Sequence, residues 1–178
     1  ISFVVLFAAG ERAHNWFNQR RTMQARLQYL ARFDEVTGAL TRYGFVEKLN
    51  IDIAAGRPML VMVVQIKRLE AVRGALGHMI ADATLKEIAQ RLEKLTPGLV
   101  GRVGDERFAL AHDSRETAMA VHRLSEEAHF ALSEPFSVDE RLVHVDIEMA
   151  AASVAEVGES AAEVLTFAEL SLGQERDS

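Results

Sequence analysis

Arg102-Val103-Gly104-Asp105-Glu106-Arg107-Phe108-Ala109-Leu110 is the stretch on which the fold turns. Two short apolar runs, residues 99–103 and 108–111, flank the polar Gly104-Asp105-Glu106-Arg107, which is the pattern of a β-hairpin. Upstream, residues 59–66 form a near-continuous apolar run of strand length. A strand with no polar alternation is covered on both faces, so this one belongs at the centre of a sheet. Pro97-Gly98 supplies the turn into the hairpin.

Helical signals fill the intervals. Phe45, Leu49 and Ile53 recur every four residues from about Arg42, and Gly56 and Pro58 stop that helix. A short amphipathic helix is predicted over 69–76 and another over 80–92, separated at Gly77-His78, with Leu85, Ile88, Ala89 and Leu92 inward. A further helix runs from about Glu116 to Leu132, ended by Pro135. Residues 136–138 and 142–151 read as a second hairpin around Asp139-Glu140. In its second arm Val143, Val145, Ile147 and Met149 face one way and His144, Asp146 and Glu148 the other. A last helix covers 160–172, followed by a polar, frayed tail, 173–178. The fold class is α+β: a central, mostly antiparallel mixed sheet flanked by helices.

Ahead of this lies a different kind of sequence. Residues 11–33 carry five arginines against one acid, while the whole chain of 178 residues has a net charge of −6. This basic stretch has no Gly or Pro, and Trp16, Met23 and Leu30 fall seven apart, with Leu27 as a further seam position. Arg20 interrupts the seam. The pattern predicts an N-terminal signalling helix, read either as a self-pairing coiled coil or as an amphipathic helix packed on its own domain. Residues 1–10 are uncharged and apolar. A membrane span needs about 20 apolar residues, so this run is either the tail of a span or the last strand of an upstream sensory domain. In the first case the arginines would lie on the cytoplasmic side, beside a membrane anchor. The three-part reading is therefore 1–10, 11–33 and 34–178. The lack of cysteine removes disulfides, Cys-metal sites and thiol nucleophiles, and suits a cytoplasmic setting. The acidic balance of the domain gives no reason to bind nucleic acid.

Three segments, in order, resemble the GGDEF family of diguanylate cyclase-like domains. Asp34-Glu35-Val36-Thr37-Gly38-Ala39-Leu40-Thr41-Arg42-Tyr43-Gly44-Phe45 is similar to the family opening D-x-L-T-G-L-x-N-R-R-x-F. Leu76-Gly77-His78-Met79-Ile80-Ala81-Asp82 is similar to G-H-x-x-G-D. The hairpin resembles R-x-G-G-D-E-F-A-L, and Phe167-Ala168-Glu169-Leu170-Ser171-Leu172 the closing A-D-x-A-L helix. The resemblance covers residues 30–172. Pro135-Phe136 is similar to members that precede an EAL phosphodiesterase domain.

What the resemblance implies about chemistry is at odds with the residues present. A cyclase joins two GTP molecules across a dimer, using Mg2+ held by hard oxygen ligands. The family places one Asp at the end of the first buried strand, where this chain has Gln65, followed by Ile66, and another acid where it has Lys67. The five signature positions are Gly104, Asp105, Glu106, Arg107 and Phe108, so Arg107 replaces the usual Glu and only Glu106 keeps its acid. The base-recognition positions become Thr41, Arg73 and Gly74, with Asp82 following. The inhibitory product motif R-x-x-D falls on Leu95-Thr96-Pro97-Gly98 and lacks both charged residues. Asp105 and Glu106 are read as a solvated turn, His78 as a structural residue at a helix start, and Asp34 as a cap at the junction with the stalk. His112, His122, His129 and His144 have no metal-ligand clustering.

The resemblance therefore implies a regulatory and dimerising module that needs no cofactor, homodimeric through the N-terminal helix and linked to a sensory or EAL domain. Two alternatives stay open: a GTP-binding allosteric domain, and a weak cyclase making cyclic di-GMP. Mg2+ enters only under these.

Overall fold

The computed structural model describes residues 2–97, 99–113, 117–154 and 160–173. Ile1, Gly98, Glu116 and the tail 174–178, all named above, lie outside the described residues. Helix α1 spans Ser2–Arg32, β1 Leu40–Thr41, α2 Arg42–Ala54, β2 Met59–Lys67, α3 Leu69–Leu76, α4 His78–Leu95 and β3 Val100–Gly104. They are followed by β4 Arg107–Asp113, α5 Thr117–Ser133, β5 Phe136–Val138, β6 Arg141–Val143, β7 Asp146–Ser153 and α6 Ala161–Ser171.

Five strands form the main sheet in the order β1-β3-β4-β2-β7. Only β1 and β3 run parallel, Leu40 opposite Gly101 and Thr41 opposite Arg102. The remaining pairs are antiparallel. β2 lies between β4 and β7, and its alternation explains the unbroken apolar run. Leu60, Met62, Val64 and Ile66 pack with Leu85, Ile88 and Leu92 of α4 and Leu124, Ala128 and Leu132 of α5. Val61 and Val63 pack on the opposite face with Phe45 and Leu49 of α2 and Val164, Leu165 and Ala168 of α6. Burying both faces of one strand ties two helical layers to it, and each fully buried aliphatic side chain contributes about 1.5–3 kcal/mol.

The structure corrects two expectations. The second arm predicted over 142–151 is two strands: β6 pairs with β5, and β7 pairs with β2 from Leu60–Ser153 to Lys67–Asp146. β5 offers three residues for pairing, whereas β2 offers eight partners to β7, so the chain leaves the short ribbon at His144-Val145. The facing read from alternation holds, because Val143, Val145, Ile147 and Met149 all pack on the α4–α5 side. The turn between β5 and β6 places Asp139 and Glu140 at φ of 46° and 62°, the backbone of a primed hairpin turn. The strand reading of residues 1–10 also fails: residues 2–10 continue α1 as helix. Among the described residues no helix is long and apolar enough to cross a membrane.

α1 exposes Trp16, Met23 and Leu27. Arg20, which interrupts the seam, lays its guanidinium over the Trp16 ring at 4.7 Å. The end of α1 is bonded to the domain. Thr41 Oγ1 donates to Ala31 O at 2.6 Å, and Arg32 pairs with Glu47 at 2.9 Å. A Cβ on Gly44 would collide with the Arg32 carbonyl, so only glycine lets α2 start this close to α1.

Candidate functional site

The ends of β2, β4 and β7 bring the signature together with groups distant in sequence. Gln65 of β2 lies opposite Arg107 of β4 on one side and Glu148 of β7 on the other. By strand parity with Val61, Val63 and Ala109, these side chains project to the face covered by α2 and α6. Arg107 Nε donates to Gln65 Oε1 at 2.9 Å, and its Nη1 donates to Glu169 Oε1 of α6 at 3.2 Å. Gln65 Nε2 donates to the carbonyls of Ile66 and Glu106, each at 3.2 Å. The hairpin is closed further by Ile66 N donating to Glu106 O at 2.8 Å.

Each of the other cations meets a carboxylate. Lys67 pairs with Glu148 at 2.7 Å. Arg73 of α3 pairs with Glu70 and lies 3.8 Å from Glu106, the one signature acid in register. Arg42, the first residue of α2, donates through Nη1 and Nη2 to the two oxygens of Glu169, both at 2.7 Å. Those hydrogen bonds from Arg42, opposed by partial burial and aided by Arg107, hold the Glu169 carboxyl below the usual carboxylate range. The Arg42 guanidinium is correspondingly pushed up by Glu169.

On the far side of the hairpin Arg102 donates to the Asp105 carbonyl at 2.8 Å and to Asp34 at 3.3 Å. Thr37 donates to Asp34 Oδ2 from both its backbone N and its hydroxyl, at 2.9 and 2.8 Å. Burial alone would raise the Asp34 pKa; the Thr37 and Arg102 contacts outweigh it and leave the carboxyl low. Asp34 therefore caps the turn after α1 and anchors it to β3, while Gly38, at φ of 76°, completes that turn.

The remaining residues singled out in the sequence are structural or dispersed. Thr41 is the N-cap of α2, its Oγ1 accepting from Gly44 N at 3.2 Å. Gly74 lies within α3, with open space where a Cβ would stand. Asp82 is half-buried on α4, and His78 is its first residue. Phe108 is fully buried in the α4–α5 core, and Asp105 is exposed at the turn. Ile66 is likewise core. Leu95 ends α4, and Thr96 is buried behind it. Sequence reasoning missed Glu169, Glu148 and Arg42 as members of this cluster. In the sequence Arg42 and Glu169 stand only as matches to a pattern, and Glu148 only as an outward residue of its strand.

A divalent cation needs several free hard oxygens. Here the Gln65 amide oxygen already accepts from Arg107, Glu106 faces Arg73, and Lys67 and Arg107 bring positive charge to the same strand ends. Among the described residues no three His, Asp or Glu side chains are grouped to hold a metal. The residues present do not fit Mg2+.

Comparison with known proteins gives the frame for these departures. The family model described as "Diguanylate cyclase, GGDEF domain" matches residues 31–178. The Cyclic di-GMP phosphodiesterase NbdA of Pseudomonas aeruginosa is 26% identical over 171 residues, covering 93% of this chain and 22% of that protein. The Diguanylate cyclase VdcA of Vibrio cholerae is 32% identical over 111 residues, covering 58% of this chain and 33% of its own. The chain thus spans between a fifth and a third of these relatives. Among solved structures, the coiled coil and GGDEF domain of DgcB from Caulobacter crescentus, in complex with c-di-GMP, superposes with a TM-score of 0.75. That match has 21% identity and covers 93% of this chain and 91% of the other. At such identity the likeness is one of fold. With a family match over most of its length and a sheet of the family's kind, this chain belongs to the GGDEF family.

Proposed function

We propose that this GGDEF domain is a catalytically inactive regulatory and dimerising module of a cyclic di-GMP signalling protein. In this reading α1 pairs with its copy and delivers an upstream input, and the domain passes it to a downstream output domain such as an EAL phosphodiesterase. The observation that carries the reading is Arg107, which stands at the signature's acid position and donates to Gln65 at 2.9 Å where a second carboxylate is expected. A guanidinium between those two strands opposes the metal-assisted attack of one nucleotide on another, because it repels the cation that such chemistry recruits. Relatives much longer than this chain, some named as phosphodiesterases, support a linked output domain. Exposure of Trp16, Met23 and Leu27 supports pairing through α1.

The experiment is incubation of the domain with GTP and Mg2+ or Mn2+; no cyclic di-GMP is expected, and turnover proportional to protein would overturn the reading. The GTP-binding alternative draws on Arg73, but that side chain already faces Glu70 and Glu106. Calorimetric titration with GTP and Mg2+ separates the two, since a saturable heat without turnover would favour the allosteric receptor.

A further inference from the structure

Arg107 has two ends that hold different parts of the molecule. Nε binds Gln65 across the β2–β4 pair, and Nη1 binds Glu169 on α6 at 3.2 Å. Glu169 is held a second time by Arg42, whose Nη1 also reaches the carbonyl of Val103, one residue before the hairpin signature, at 3.3 Å. Just beyond α6, a Cβ placed on Gly173 would come within 3.6 Å of Glu148 Oε1, and Glu148 is bound by Lys67. Polar contacts from β4 and α2 therefore converge on Glu169 near the C-terminal end of α6, and Gln65 of β2 backs the first of them.

The apolar grip on α6 is concentrated earlier. Ala161, Val164, Leu165 and Ala168 are fully buried, whereas Phe167 and Leu170 are exposed. The last turn is held by Ala168, by Leu172 just beyond it and by the ion pairs of Glu169, and ion pairs that are partly exposed open at modest cost.

We infer that Arg107 is a latch between the signature hairpin and the last helix: with Arg42 it fixes the end of α6, and loss of the guanidinium uncouples α6 from the hairpin and loosens it. This rests on reading the hairpin as non-catalytic, and it gives the Arg at the acid position a mechanical role. An input reaching the hairpin through Asp34 and Arg102 is thereby carried to the last helix.

The test is hydrogen exchange followed by mass spectrometry on the 178-residue chain, without nucleotide. Wild type is compared with Arg107→Ala, Glu169→Gln and the double variant. Relative to α4, exchange across the end of α6 is expected to rise about fivefold in Arg107→Ala, and by more in Glu169→Gln, which also releases Arg42. In the Glu169→Gln background, Arg107→Ala should add nothing. Unchanged α6 exchange in Arg107→Ala, or effects of the two changes that simply multiply, would overturn the latch. Should Arg107→Ala fail to fold, Arg107→Lys keeps a cation but replaces the fork of separate Nε and Nη1 donors by a single nitrogen; the same rise is expected, and wild-type exchange would refute the forked geometry. Because GTP is absent, this result and the turnover result fail independently.

Discussion

Glu169→Gln is the change whose consequences follow most directly from the geometry. The Glu169 side chain is 13% exposed, and it accepts two 2.7 Å hydrogen bonds from Arg42 and one at 3.2 Å from Arg107. Its partners are 45% and 36% exposed, so water screens them. A hydrogen bond to a charged group contributes about 1.5–3 kcal/mol and an exposed ion pair about 0–1. The amide retains the shape but removes the charge and leaves two guanidiniums without their shared counter-ion. We expect a loss of about 2 kcal/mol, below the 3–5 of a fully buried pair. At about 2–4 °C per kcal/mol for a domain of this size, the melting temperature should fall by about 4–8 °C. The pH dependence carries the sign. Arg42 and Arg107 hold the folded carboxyl below its ordinary value of 4.5, so its contribution is full above that pH and is lost as pH falls through the lowered value. Asp34, also lowered, is present in both proteins, and the difference between them isolates Glu169. Thermal or urea melts from pH 7 downward should show a gap that closes in acid. A gap under about 0.5 kcal/mol at pH 7, or one that persists in acid, would refute the assignment.

Two further outcomes follow. Thr41→Ala removes the N-cap of α2 and the bond to Ala31, and should cost about 1–2 kcal/mol in melts while leaving any GTP titration unchanged; a change confined to nucleotide binding would return Thr41 to a ligand role. Deletion of residues 11–33 together with those before them should convert a dimer to a monomer in solution, and an unchanged mass with and without the segment would remove α1 as the pairing element.

The fold was largely legible because its central strand is apolar at every position from Met59 to Val64, which leaves no other place for it in a sheet. The hairpin, α2 and α4 likewise announce themselves through turn residues and helical spacing. The two-residue β1 was not legible, since its parallel pairing with β3 depends on where α1 docks. The break between β6 and β7 was missed because alternation reports which face a residue takes, not which strand it joins. Residues 2–10 have β-branched and aromatic character, yet they extend a helix already running through the arginine-rich stretch, where propagation is easier than a new start. In the site, the departures at Gln65, Lys67 and Arg107 could be read position by position. Their partners Glu169 and Glu148 could not, because 62 and 81 residues separate Arg107 from Glu169 and Lys67 from Glu148, and the packing of α6 on the sheet and the β2–β7 register bring them together. Thr41 carried a local signal, a hydroxyl at a helix start, that outranked its place in the family pattern.

The central claim is that a domain whose own cations stand at the signature cannot condense GTP. The direct measurement is mass-resolved product formation by the folded domain with GTP and Mg2+ or Mn2+, alongside the Gln65→Asp/Arg107→Glu double variant. No cyclic di-GMP is expected from the wild type. Product formed at a rate proportional to the wild-type protein, and little altered by the double change, would contradict it.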